Sequence, residues 1–163
     1  MRLTSTDGSE VRIRMDGYQF PAMTTPGDWD ANWLIVEGAV RLATGESWSF
    51  RDPCLTTWEV SSLVDWLRQV ADGSVQPSAF PSDDDEERLQ VFTEPNLAFS
   101  LAARSQARVT LRVHFSLESL PPRLREDRDL DLFDFFVPLN VREAEAQSAA
   151  DALAADLAAF PAR

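Results

Sequence analysis

The chain of 163 residues has one cysteine, one histidine, six scattered glycines and no lysine. A single cysteine cannot form an internal disulfide, so the fold rests on its apolar core, and a reducing compartment is the expected setting. One cysteine with one histidine falls short of the usual zinc sets. No G-x-S-x-G, G-x-G-x-x-G or Walker loop is present, so no cofactor is expected. The opening stretch MRLTSTDGSE lacks the apolar segment of a signal peptide, and no apolar run approaches a membrane span. A cytoplasmic protein without membrane contact is the expectation.

Acid is what the chain has in excess. Twenty-seven acidic residues against fifteen arginines give a net charge of −12 and a pI near 4.4. Such a balance repels nucleic-acid phosphates and attracts basic partners, although it also serves solubility alone.

The length and an apolar content of 44% fit a single domain over residues 1–163. Period-two alternation predicts strands in EVRIRMDGYQF, NWLIVEGAVRL and around Trp48 and Phe50, joined by loops too short for parallel crossovers. Asp52-Pro53 reads as a turn out of the sheet, with Cys54 inside it. Thr56 and Glu59 form a capping box for a helix that runs to a stop at Gly73. Residues 74–87, SVQPSAFPSDDDEE, read as an acidic, Pro/Ser-rich linker. Four more strands follow. The clearest alternates Val109, Leu111, Val113, Phe115 and Leu117 with Thr110, Arg112, His114, Ser116 and Glu118, so the second set is expected on a polar or loop-lined face. The last, LFDFFVPLN, places Phe133, Phe135, Val137 and Leu139 on one face, and Pro138 indicates that this strand is at an edge or ends there. An alanine-rich helix with Asn140 as cap and Glu143 at its third position closes the chain. No internal repeat is visible. The predicted fold is α+β, a twisted antiparallel sheet of about six to seven strands with two packed helices in the order βββ-α-ββββ-α.

Little in the sequence singles out catalytic chemistry. Cys54 precedes a helix N-terminus, which could lower a thiol pKa, but a lone unpaired cysteine is more simply a packing residue. His114 on a polar strand face could be a general base, which keeps an enzymatic alternative open. Asp127, Asp129 and Asp131 imitate the start of an EF-hand loop, yet Leu132 and Pro138 occupy the positions that need Gly and Glu. Four of the five tryptophans fall on predicted elements as core or near-core residues. Trp29, in a loop between Asp28 and Asp30, is the exception.

GYQFP, DANWLIVEG, SFRDPCLTTWE and FTEPNLAF, followed by an amphipathic C-terminal helix, together resemble the WapI-type bacterial immunity proteins, antidotes to contact-dependent toxins. The resemblance spans about Gly17 to Phe160. It implies a cytosolic, non-enzymatic inhibitor of a nuclease-type toxin domain. A structural or regulatory interaction module is the remaining alternative. The acid-rich loops are the expected contact surface for a basic partner: Asp28 and Asp30 flanking Trp29, the run Asp83, Asp84, Asp85, Glu86 and Glu87, and Asp127, Asp129 and Asp131.

Overall fold

Alternating apolar residues and tight loops build two sheets. In the computed structural model, which describes residues 1–79 and 89–163, β1 (Arg2–Thr4), β2 (Glu10–Tyr18), β3 (Trp33–Arg41) and β4 (Ser47–Thr56) form one antiparallel sheet in chain order. β5 (Gln90–Val91), β6 (Leu97–Ser105), β7 (Arg108–Phe115) and β8 (Phe136–Arg142) form a second in the same way. Each sheet runs directly into a helix, α1 (Thr57–Asp72) after β4 and α2 (Glu143–Leu157) after β8. Four strands and a helix therefore occur twice, a duplication the side chains do not advertise.

The α+β class and antiparallel pairing agree with expectation, but the strands divide into two four-stranded sheets where one of six to seven was predicted. The reason is apolar supply. Both sheets have an apolar inner face, and these faces bury each other: Trp48 and Phe50 of β4 meet the ring of Phe115 on β7 at 5.5 and 6.2 Å. The Trp48 indole N–H also donates to the Ser119 carbonyl at 2.9 Å. One core of buried residues from both sheets and both helices results. β1 and β5, at three and two residues, are too short to show a period.

The capping box of α1 forms as predicted. Glu59 N–H donates to Thr56 Oγ1 at 3.2 Å and Thr56 N–H to a Glu59 carboxylate oxygen at 2.8 Å. Gly73 closes the helix at φ +92°, a left-handed conformation that costs glycine nothing. The alanine stripe of α2 (Ala146, Ala149, Ala150) is buried with Leu153, and the two helices pack against each other.

Four local expectations are corrected. β4 does not turn at Asp52-Pro53 but continues to Thr56. It is an edge strand, where proline removes no needed ladder bond. Cys54 is the extra residue of a bulge, because Leu34 pairs with Leu55 and Ile35 with Pro53. Asn140 does not cap α2. It stays in the β8 ladder opposite Thr110, and Arg142 is the cap, its N–H donating to Glu145 at 2.7 Å. Residues 133–135 precede β8 and do not extend it, with Phe133 at φ +69°. β8 is at a sheet edge, as Pro138 indicated. The alternation on β7 ends at Phe115, because Leu117 adopts φ +53° and is exposed.

Gly38 of β3 faces Phe50 across the β3–β4 pair. A Cβ built there would lie 2.0 Å from the buried ring. Gly38→Ala is therefore expected to destabilise the protein by about 1–3 kcal/mol through overpacking. Urea denaturation measures it; a loss below about 0.5 kcal/mol would show that the ring moves freely.

Candidate functional site

Most carboxylates on the sheets already have partners. On the outer face of the first sheet, Glu10 accepts from Arg2 and Arg12, while Glu37 and Asp16 share Arg14 and Arg51. Burial opposes the Glu10 charge, but the two arginines outweigh it and hold its carboxyl below the usual range. These are satisfied surface networks and offer a partner little.

A different arrangement holds where the ends of the two sheets meet. An open cleft of about 400 Å³ is lined by Asp30, Asp52, Glu94 and Glu118, with Phe20 and Trp33 among its walls. Asp52 comes from β4 and Asp30 from a 3-10 turn (Asp30–Asn32) in the β2–β3 loop. Glu94 lies in the turn between β5 and β6, where the Thr93 N–H donates to Glu59 at 2.6 Å. Glu118 sits in the 3-10 turn after β7 and accepts from the buried Asn96 side chain at 3.0 Å. No cation closes this set: among the described residues none of the four carboxylates is in an ion pair. Burial, followed by the charges of Glu118 and Glu94, pushes the Asp52 carboxyl above its ordinary value. Nor does any group of three or more acidic, histidine or cysteine residues among those described have the spacing to hold a metal ion.

The rim is apolar and exposed. Phe20, which lines the cleft, faces solvent, as do Leu117 and Trp29, the chain neighbours of Glu118 and Asp30, with Trp29 half exposed at 50%; exposed Trp58 lines a separate groove along α1. Trp29 stacks on Trp58 at a centroid distance of 5.2 Å, so the loop tryptophan is braced against the first turn of α1. Trp58, expected in or near the core, is thus a surface residue, whereas Trp48 and Trp66 are buried. Leu117 combines exposure with a left-handed backbone, which costs a non-glycine residue about 1–2 kcal/mol.

A model of the WapI-like immunity protein family matches residues 2–161. The chain belongs to that family. No curated protein and no solved structure matches it. Membership makes the protein an immunity protein with a toxin as its protein partner. No helix among the described residues is long and apolar enough to cross a membrane.

Of the contact residues predicted from sequence, Asp30 lines the cleft and Trp29 and Asp28 precede it in the same loop. Asp127, Asp129 and Asp131 are exposed on the connection between β7 and β8 and do not line it. Asp83, Asp84, Asp85, Glu86 and Glu87 lie outside the described residues. Sequence reasoning missed Asp52, Glu94, Glu118 and Phe20: Asp52 and Glu94 precede prolines and look like turn punctuation, while Glu118 and Phe20 carry no local signal. One signal was available: Gln19, Phe20, Asp30, Trp33, Asp52, Pro53, Glu94 and Asn96 all fall within the four stretches that carry the family resemblance.

Two chemical candidates change character. His114, expected on a polar or loop-lined face, is fully buried, its ring between the Ser100 hydroxyl at 2.9 Å and the Phe133 carbonyl at 2.7 Å. Ser116, of the same set, is buried as well. The loop before β8 covers this face, so the loop-lined of the two expected settings holds for His114. Cys54 is fully buried; burial, then the charges of Asp52, Glu59 and Glu94, pushes its thiol well above the ordinary range. Native protein is accordingly expected to resist thiol reagents until unfolded. Stoichiometric labelling of folded protein within minutes would contradict this.

Proposed function

We propose that this immunity protein neutralises a basic, nuclease-type toxin domain in the cytoplasm by holding it on the acidic cleft, with no catalysis of its own. The observation that carries this reading is a convergence. GYQFP, DANWLIVEG, SFRDPCLTTWE and FTEPNLAF are far apart in sequence, yet each contributes residues to one cleft whose four carboxylates have no ion-pair partner among the described residues. Like charges gathered without a partner are unfavourable in the free protein and become favourable when a basic surface arrives. Exposed Phe20 in the cleft wall, and exposed Trp29 next to Asp30 in the chain, are suited to anchoring such a contact. Asp28, Asp127, Asp129 and Asp131 add a field that speeds encounter without lining the cleft. The enzymatic alternative finds little support: both ring nitrogens of the buried His114 are hydrogen bonded.

Calorimetric titration against a cognate toxin domain, sought in the gene next to this one, at low and high salt, tests the reading. One-to-one binding that weakens with salt and abolishes nuclease activity is expected. Absence of binding, or binding that leaves the nuclease active, rejects it. Trp29→Ala is expected to raise the dissociation rate about 30-fold, the loss of a single hot spot of about 2 kcal/mol. Surface plasmon resonance would show this chiefly in the off-rate.

A further inference from the structure

We infer that Arg163 is the positioning residue of the partner-contacting loop, clasping the chain between β2 and β3 so that Phe20, Trp29 and Asp30 are presented to the cleft. This deepens the proposed function and rests on the cleft being the toxin-binding site. The loop itself is poorly braced. Its internal main-chain bonds are few: Met23 N–H to the Phe20 carbonyl, Asp28 N–H to Thr25 and Asn32 N–H to Trp29, at 3.0–3.1 Å. A loop of this length without such support would populate many conformations.

Arg163 supplies what the loop lacks. One guanidinium nitrogen donates towards three carbonyls of the turn at the start of the loop, those of Met23 at 2.6 Å, Pro21 at 3.2 Å and Phe20 at 3.4 Å. The same guanidinium lies over the Tyr18 ring at 3.5 Å, at the last residue of β2. The Arg163 main chain holds the other end of the loop. Its carbonyl accepts from Gly27 N–H at 2.9 Å and from the Asn32 side chain at 3.0 Å, and its N–H donates to Asn32 Oδ1 at 2.9 Å. Asn32 is fully buried and also bonds the Asp28 carbonyl and the Thr57 hydroxyl of α1. A single residue thus ties both ends of the loop to the sheet and to the first turn of the helix that carries Trp58. With the carbonyls of Phe20, Pro21 and Met23 turned towards Arg163, Phe20 is left 40% exposed.

The test compares the full chain with Arg163→Ala, which removes the guanidinium and keeps the main-chain bonds, and with Arg163→Lys, which restores a cation over Tyr18 and some donors. Hydrogen exchange of Gly27, Asp28 and Asn32 is expected to speed at least tenfold in Arg163→Ala, with Leu34 and Val36 unchanged and Arg163→Lys intermediate. Affinity for the toxin domain is expected to fall in proportion to the competent fraction of the loop, about tenfold for a tenfold loss of order. Unchanged exchange in the loop overturns the inference whatever the affinity. Faster exchange with an unchanged affinity overturns it too, since the loop would then be ordered for no contact. Failure of the wild-type chain to bind the toxin domain would instead remove the proposed function, and loop exchange alone would then decide whether Arg163 orders the loop.

Discussion

Replacing Asp52 by Asn and Glu118 by Gln together is expected to raise the stability of the free protein and to weaken toxin binding by about 100-fold. Opposite signs are the point. In the free protein the cleft carboxylates repel, and Asp52 carries the result as a raised pKa caused by burial and by Glu118 and Glu94. A carboxyl whose folded pKa lies above its unfolded value contributes stability that is present below the unfolded pKa and lost as pH rises through the folded one. At neutral pH the repulsion is therefore fully expressed, and amides relieve it. Gln at 118 also keeps a carbonyl oxygen for the Asn96 side chain. In the complex each lost charge pair is worth at least about 1.5 kcal/mol, and two give about two orders of magnitude. Thermal melts of both proteins at pH 7 and pH 3, with affinities at pH 7, decide the matter. The part of the gain that comes from Asp52 should shrink towards pH 3, below the pKa of that carboxyl in the fold. A variant that melts lower than wild type at pH 7 and binds equally well would refute the electrostatic account of the cleft.

The second large effect belongs to His114. A carbonyl can only accept, so the Phe133 oxygen places the ring proton on Nδ1 and leaves Nε2 to accept from the Ser100 hydroxyl. Burial lowers the imidazole pKa, the Phe133 bond raises it slightly and Arg112 lowers it again, to about 4. A histidine with a depressed folded pKa contributes stability that is complete above its unfolded value near 6.5 and is lost as pH falls towards 4. The gap corresponds to roughly 3 kcal/mol. His114→Gln should lose about 2 kcal/mol at pH 7 by disturbing a buried hydrogen-bonded site. It should also lose much less than wild type between pH 7 and pH 4. Carboxylates titrate in both proteins, so the difference between the two urea-denaturation curves isolates the imidazole. Parallel curves would mean that the ring takes up its proton as readily in the fold as in the unfolded chain.

Local signals were reliable where the physics is local. Thr56, Glu59 and Gly73 define α1 because capping bonds and a left-handed stop involve residues three to five apart. The alternation of Val109, Leu111, Val113 and Phe115 marked a buried face, and all four are fully buried. Pro138 pointed to a sheet edge or a strand end, and the strand runs on at an edge, where a missing N–H is tolerated. The same reasoning misled at Asp52-Pro53 and at Asn140, where turn and cap chemistry was present but strand pairing with β3 and β7 prevailed.

Composition and pattern thus established an acidic α+β protein with antiparallel strands, two helices, a buried side for each element and a family likeness. They could not divide the strands into two sheets, because that depends on which apolar faces bury each other across the core. Nor could they bury His114, since its cover comes from a loop about twenty residues further on. The cleft is the plainest case. Asp30, Asp52, Glu94 and Glu118 are unremarkable one at a time, and their mutual repulsion exists only once two sheets and three loops bring them to one place. Hydrogen bonds and side-chain periodicity act over a few residues and are written in the chain, whereas charge clustering and loop convergence are properties of the folded surface.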